Sequence, residues 1–467
     1  MERIFHLKEN GTTVKTEILA GLTTFMTMAY IIALNPNLLT GVFLATCIAS
    51  AIGTVCMAFL ANKPFVMAPG MGLNSFFAVV AGNVAALLNT DYTSAFQAVL
   101  CIILVEGIVF LLLSVFNIRD KIVHAIPLGV RLGIGPAIGL MLMNIGLGSN
   151  VGIYAAGNDF TSPFYMMRDF FGALTPSVIQ DYMGAEGYTQ MVLTVATAFI
   201  GLFVIILLAK KGIKAAVLVG MLASSVIYWA GEAIFLHVNP FASLQGASFV
   251  PPFHDMAATT LFKFDFSDFF RIGWFTAITL VITFCMIDMF DTIGTLVGTA
   301  SRAGMVNEKG EMPNMKEALL SDAVGTVVGA CTGTSTVTTF IESASGVEAG
   351  GRTGLTALTT GILFLAGIFI APIAAIIPAA ATSSALIYVG LLMLGGLKKI
   401  DFDDIYQSLP VAIMLISMPI SGSIGHGIGL GLISYSVLKL CTGKGKEVSV
   451  LTYVISVIFL VKFFLIA

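Results

Sequence analysis

Long apolar runs recur along the whole chain, and they restrict its fold more than any other feature. Of the 467 residues, 57% are hydrophobic and only 10% are charged. An α-helix needs about 20 consecutive apolar residues to cross a bilayer, where it satisfies its own backbone hydrogen bonds. The sequence therefore predicts an all-α polytopic membrane protein.

We predict fourteen membrane spans, and a final apolar run at 448–467 that lies in the interface or along the bundle. The predicted spans are residues 17–34, 41–61, 65–82, 94–117, 123–148, 188–209, 212–236, 271–298, 314–331, 336–350, 353–379, 382–397, 409–420 and 422–440. Lys and Arg concentrate in alternate short loops, which is typical of cytoplasmic loops. We therefore expect a multi-pass protein of the cell membrane with a cytoplasmic N-terminus.

Several functional classes lack their sequence signatures. The net charge is −3 and the basic residues lie in short loops, so no nucleic-acid partner is expected. The six cysteines are scattered without metal-ligand or disulfide spacing. The chain has no GxxxxGK[ST] motif of an ATP-driven pump and no visible nucleophile–base set. We expect neither an enzyme nor a bound cofactor.

An internal repeat relates the two halves of the chain. The sequence SAIGTV at 50–55 matches DAVGTV at 322–327, 272 residues later. Seven predicted spans separate the copies, so the halves must be inverted in the membrane. Each copy leads into a polar, Gly-rich interruption, Ala68–Ala78 or Gly333–Gly346. Chance similarity of small-residue helices is the alternative, but paired broken helices favour a transporter site near the bilayer midplane.

Three carboxylates are the main candidates for that site. Asp288 and Asp291 share one face of span eight because they are three residues apart. Glu342 opens a short predicted helix, 342–347, inside the second interruption. Acidic groups in mid-membrane are costly and usually functional. The alternatives are a structural pair bonded to hydroxyls for the aspartates, and a helix cap for Glu342.

Other polar and aromatic residues could complete the site. Asn74 follows the broken segment APGMGL, where its amide could bind a polar ligand or satisfy the local backbone. In span one, Thr24 and Phe25 are further candidates, although a lone aromatic in a membrane helix is usually packing. Ser343 adjoins Glu342 and completes the candidate set. Glu106, in mid-span four, could lie on a proton path or bond a neighbouring helix.

Four motifs then occur in order: AGLTTFMTMAYIIALNP (20–36), APGMGLNSFFA (68–78), FDTIGTLVG (290–298) and FIESASGVEAGGRTGLTA (340–357). Together they resemble the azaguanine-type purine permeases of the second nucleobase:cation symporter family, relatives of uracil and xanthine permeases. The resemblance implies two inverted seven-span repeats with short antiparallel strands in spans three and ten. It also implies that substrate residues lie in spans three, eight and ten, here Asn74, Asp288 or Asp291, and Glu342.

The resemblance further implies a division into a core domain that holds the substrate and a gate domain. The expected core comprises 1–122 and 271–380, the gate 123–236 and 381–467, with an outer loop at 237–270. The gate domains are also where a homodimer would form.

The expected function is import of purine nucleobases by proton symport, with guanine and hypoxanthine favoured over adenine. Asp288 and Asp291 are the favoured proton acceptors because neighbouring acids raise each other's pKa, and Glu342 could share the proton. A passive facilitator, a uracil or xanthine transporter and an anion exchanger on the same fold are the alternatives. The expected partners are thus a purine, a proton and the lipid bilayer.

Overall fold

The computed structural model describes residues 1–38, 42–116, 126–147, 176–213, 215–245, 249–302, 305, 312–421 and 423–465. For residues 162–174 the sequence predicts a short surface helix, and this segment lies outside the described residues.

The described part of the chain is almost entirely helical. The first half contains α1 (Glu2–Phe5), α2 (Val14–Met28), α3 (Tyr30–Leu38), α4 (Phe43–Cys56), β1 (Met67–Pro69), α5 (Met71–Leu88), α6 (Tyr92–Val115), α7 (Leu128–Leu147), α8 (Pro176–Lys210, interrupted at Gly184) and α9 (Ala216–Gly231). The connecting segment contains α10 (Phe253–Thr259) and α11 (Phe266–Arg271). The second half contains α12 (Trp274–Arg302), α13 (Met315–Thr332), β2 (Val337–Thr339), α14 (Ser343–Glu348), α15 (Gly354–Gly367), α16 (Ala371–Ala375), α17 (Ala379–Met393), α18 (Ile405–Ser421), α19 (Ile424–Cys441) and α20 (Val450–Leu465). Short π or 3₁₀ turns lie at Met57–Ala61, Glu232–Leu236, Ala242–Leu244, Ile368–Ile370, Leu394–Lys399 and Gly445–Glu447.

Among the described residues, eleven helices are long and apolar enough to cross a membrane. The other three predicted spans correspond to elements that miss those criteria for identifiable reasons. Helix α13 carries Lys316, Glu317 and Asp322, and α18, with 17 residues, is one residue short. Span ten is the strand β2 followed by the short helix α14. The fourteen-segment architecture predicted from the sequence is thereby confirmed.

The two interrupted spans meet as a two-stranded antiparallel sheet. Met67 pairs with Thr339, Ala68 with Thr338 and Pro69 with Val337, so the register is symmetric about its central pair. Both strands are buried, which is how irregular backbone is tolerated at membrane depth. The left-handed backbone of Gly333 (φ 100°) ends α13 and lets the chain turn toward β2. The paired strands expected from the family resemblance are therefore present.

The internal repeat is expressed in matching contacts. The Thr54 hydroxyl donates to the Met67 carbonyl at 3.1 Å, and the repeat-related Thr326 hydroxyl donates to the Val337 carbonyl at 3.3 Å. The neighbouring glycines of the motif, Gly53 and Gly325, face each other beneath the sheet. The repeated sequence thus builds a helix crossing that supports both strands, and the inverted repeat is confirmed.

We expect Gly325→Val to destabilise the fold through this crossing. A Cβ atom at Gly325 would lie only 3.1 Å from Val337 Cγ1 and 3.2 Å from Met67 Cε, and valine adds two further methyl groups. Overpacking of this kind costs about 1–3 kcal/mol. Thermal unfolding of the detergent-solubilised protein measures the effect, with Gly82→Val as control because Gly82 has open space around it. Equal losses of stability in both variants would contradict the prediction.

The helices associate in two groups. One group places α2, α4, α6, α13, α14 and α15 around the paired strands. The other joins α7 to α17 and α18, α8 to α9 and α17, and α19 to α18 and α20. Small residues allow close approach within the second group, since Gly139 and Gly390 contact each other where α7 crosses α17. Every sequence-predicted site residue lies on the first group or on α5 and α12, which adjoin it.

Candidate substrate site

The half helix α14 is joined to span one along a seam of three contacts. At its start, the Tyr30 hydroxyl donates to Glu342 Oε1 at 2.6 Å. The hydroxyls of Thr27 and Ser345 lie 2.9 Å apart, and Thr24 closely approaches Gly346. Residues 24, 27 and 30 recur at about one helical turn, so one face of span one holds the half helix in place.

Glu342 occupies the N-cap position of α14, but its side chain makes no capping hydrogen bond. Its carboxylate is directed instead to Tyr30, and the side chain is half-buried. The alternative that Glu342 merely caps its helix is therefore wrong for this conformation. A carboxylate held at the junction of the two interruptions remains available to a ligand.

Thr292 on α12 links span eight to span nine and to the sheet. Its Oγ1 lies 3.2 Å from Asp288 Oδ1, 2.7 Å from Asp322 Oδ1 and 2.6 Å from Thr338 Oγ1. Asp288, Asp322, Thr292 and Thr338 are all almost completely buried. We call this group the Thr292 cluster, and it joins two carboxylates through one hydroxyl.

Asp291 lies between the Thr292 cluster and Glu342. It is half-buried, close to Gly70 where β1 leads into α5, and it interacts electrostatically with Asp322 and Glu342. The structure thus brings the three predicted carboxylates together and adds a fourth. Such a concentration of acidic groups is suited to N–H donors and protons and disfavours anions.

The remaining predicted site residues lie close by, in contacts within the protein. Asn74 is fully buried, accepts a hydrogen bond from the Ser335 hydroxyl and donates to the Pro69 carbonyl at 3.3 Å. The Ser343 hydroxyl accepts from the Val66 amide at 2.9 Å. The Ser335–Asn74 and Val66–Ser343 bonds link the two interrupted spans. Direct ligand binding by Asn74 or Ser343 stays a prediction.

The two candidates from span one are engaged in packing. Phe25 meets Phe364 edge to face, with ring centroids 5.4 Å apart, and the Thr24 hydroxyl donates to the Ala20 carbonyl of its own helix. Their role as ligand contacts also stays a prediction.

Glu106 supports the sheet from span four. Its Oε2 accepts a hydrogen bond from the Thr336 hydroxyl at 2.7 Å, and the Thr336 carbonyl accepts from the Gly70 amide at 3.1 Å. The sequence allows two roles for Glu106, a place on a proton path and a bond to a neighbouring helix. The observed contact is a bond to Thr336, next to strand β2.

Four residues of the site are absent from the sequence-based candidates: Tyr30, Thr292, Asp322 and Thr338. Asp322 carried a usable signal, because it replaces Ser50 at the first position of the otherwise similar repeat motif. Tyr30 and Thr292 lie in motifs already noted. No pattern in the sequence pairs Tyr30 with Glu342, or Thr292 with Asp322.

No group of three or more His, Cys, Asp or Glu side chains with the arrangement of a metal site occurs among the described residues. The contacts described above are made by carboxylates, hydroxyls, one amide and strand backbone. Chemically, this set can accept N–H donors and exchange protons in a largely buried setting.

Solved structures show the same fold at low sequence identity. The transmembrane domain of a cyanobacterial bicarbonate transporter, BicA, aligns with a TM-score of 0.63 at 14% identity, covering 88% of this chain and 96% of that one. The anion transporter SLC26A9 aligns with a TM-score of 0.61 at 10% identity, over 92% of this chain and 66% of that one. At these identities the likeness concerns the fold alone.

Sequence relatives are much closer. The adenine permease AdeP of Escherichia coli is 37% identical over 99% of this chain and 95% of its own length. The guanine/hypoxanthine permease PbuO of Bacillus subtilis is 36% identical over 99% of this chain and its full length. A sequence model of the Permease family, Xan_ur_permease, matches residues 15–430. The chain therefore belongs to this xanthine/uracil-type Permease family, in the group that includes the adenine and guanine/hypoxanthine permeases.

Proposed function

We propose that the chain is a secondary active transporter that imports purine nucleobases together with protons. The observation that carries the proposal is the meeting of both interrupted spans with Glu342 and Asp291 at their junction. A purine offers N–H donors and ring-nitrogen acceptors around its rim. The carboxylates would accept the donors, and the strand backbone and the Asn74 amide would complete the rim.

Guanine and hypoxanthine are the proposed preferred substrates, and adenine is the alternative within the same class. The relatives include permeases of both kinds at similar identity, 37% for AdeP and 36% for PbuO. Selectivity would come from the pattern of hydrogen bonds, because a base that leaves a buried polar group unpaired is rejected strongly.

The Thr292 cluster suggests where the coupled proton binds. Thr292 Oγ1 has three oxygen neighbours at hydrogen-bond distance, and a separate hydrogen bond to each of them would require three hydrogens. The hydroxyls of Thr292 and Thr338 supply only two hydrogens. The third would belong to a protonated Asp288 or Asp322. We therefore propose that Asp322 shares the coupling proton with Asp288 and Asp291, the acceptors expected from the sequence.

Alternating access would arise from relative movement of the two helix groups. We propose that the group around the sheet is the core domain and that the group formed by α7, α8, α9, α17, α18 and α19 is the gate domain. The cavity would open to each side in turn, in the cell membrane, with the N-terminus in the cytoplasm.

Transport by the purified protein in proteoliposomes tests the proposal. With acid outside, labelled hypoxanthine should accumulate, a protonophore should abolish the accumulation, and unlabelled guanine should compete better than adenine or uracil. Uptake that only equilibrates would indicate a facilitator. Accumulation that is unchanged without a proton gradient would refute proton coupling, and preferential competition by uracil would refute the purine assignment.

A further inference from the structure

Tyr30 is the residue at the site whose role the proposed function leaves open. It lies just after Ala29, where helix α2 gives way to α3, and its side chain is completely buried. A buried phenol hydroxyl needs a partner, because an unmade hydrogen bond in a buried position costs about 1–3 kcal/mol. The hydrogen bond that the structure gives this hydroxyl is the one to Glu342 Oε1, on a residue 312 positions away.

The geometry of that bond is specific. At 2.6 Å it has the length of a charge-assisted O–H···O⁻ bond between a hydroxyl and a carboxylate. Tyr30 reaches only one of the two carboxylate oxygens. The side chain of Glu342 is partly accessible, and a carboxylate oxygen can accept more than one hydrogen bond, so Oε2 can take a further donor.

Tyr30 is also well suited to fix an orientation. A tyrosine side chain has two main torsions, and this ring is enclosed by the core. The Thr27–Ser345 contact, one turn earlier in span one, fixes the position of the half helix along the axis of span one. The backbone of Glu342 is thus fixed by the half helix, and one of its carboxylate oxygens is fixed by Tyr30.

We propose that Tyr30 is a positioning residue for substrate recognition: it holds Oε1 of Glu342 and so directs Oε2 toward an N–H donor of the base. Glu342 then acts as a fixed hydrogen-bond acceptor, while protons exchange at the aspartates. This inference rests on the proposed function, since it takes Glu342 as a ligand of the base.

The test is a double-mutant cycle on hypoxanthine binding to the purified full-length protein. Tyr30→Phe removes only the hydroxyl and should weaken binding about tenfold, which corresponds to about 1.4 kcal/mol. Glu342→Asp withdraws the carboxylate from Tyr30 by one methylene. In the Glu342→Asp background, Tyr30→Phe should therefore change the dissociation constant by less than about twofold. A change of that size is within the deviation from additivity seen for mutations at independent sites.

Thr27→Val is the matched control. Thr27 lies on the same helix and contacts the same half helix, but not the Glu342 carboxylate. Its effect should be the same in both backgrounds. If the Tyr30→Phe effect were equally large in both backgrounds, Tyr30 would be a structural residue only and the inference would be wrong.

A spectroscopic measurement covers the case in which the Glu342→Asp variant binds too weakly to complete the cycle. The infrared difference spectrum induced by hypoxanthine should contain carboxylate bands that vanish in Glu342→Gln, and Tyr30→Phe should shift those bands. Unshifted bands would overturn the role of Tyr30 alone. Wild-type binding by both Glu342 variants would instead overturn the proposed substrate site.

Discussion

Glu342→Gln should lower purine uptake by about 30–100-fold at subsaturating substrate. The substitution preserves the size of the side chain but removes its charge and replaces one acceptor oxygen by an amide donor. An amide facing the N–H donors of a base leaves buried polar groups unpaired, at a cost of about 2–3 kcal/mol. Initial uptake rates in proteoliposomes, normalised to the amount of reconstituted protein, measure the loss.

The other glutamate of the same half helix provides the control. Glu348 is exposed at the far end of α14, so Glu348→Gln should transport at close to the wild-type rate. This comparison separates loss of the carboxylate from disturbance of the helix. Wild-type uptake by Glu342→Gln would remove the basis of the site, whatever the behaviour of Glu348→Gln.

Much of this fold could be predicted from the sequence because the bilayer imposes simple rules. Apolar length predicted the spans, and the repeat of SAIGTV as DAVGTV predicted the inversion. The interruption at Gly333–Gly346 was visible because a polar, Gly-rich segment interrupts the apolar pattern, and non-helical backbone at membrane depth must be buried in protein or line a cavity. The pairing of the two strands needed more, and came from the resemblance to a family with that architecture.

Within the site, only the residues whose burial in a membrane is energetically most costly were predictable. Glu342, Asp288 and Asp291 stand out because a carboxylate in mid-membrane needs a special reason to be there. Tyr30 and Thr292 do not, because hydroxyl-bearing residues are common in membrane helices and their partners lie on other spans. Asp322 was placed in the repeat, but three charged residues made its helix look less like a membrane span than its neighbours.

The contacts of Asn74 illustrate a different limit of sequence reasoning. An amide next to a broken helix predicts hydrogen bonding, but the sequence does not say with what. In this conformation its partners are Ser335 and Pro69, so it connects the interruptions of the two halves.

Asp322→Asn should uncouple transport from the proton gradient. The asparagine amide can donate to Thr292 Oγ1, so the Thr292 cluster stays filled as if a proton were always bound. One pH unit contributes about 1.4 kcal/mol per proton, or about a tenfold accumulation. Under such a gradient, accumulation in proteoliposomes should fall from about tenfold to about onefold. Exchange of labelled for unlabelled purine, which needs no net proton movement, should continue.

Ser321→Ala tests whether this effect is specific to the carboxylate. Ser321 is equally buried in α13, but its hydroxyl bonds to the Glu317 carbonyl of its own helix at 2.8 Å. The Ser321→Ala variant should therefore accumulate purine to the same level as the wild type. Loss of exchange as well as accumulation in Asp322→Asn would mean that Asp322 is required for substrate binding or folding. Full accumulation in that variant would show that Asp322 does not carry the coupling proton. The proton would then bind to Asp288 or Asp291, and the contacts of Thr292 would not require a hydrogen from Asp322.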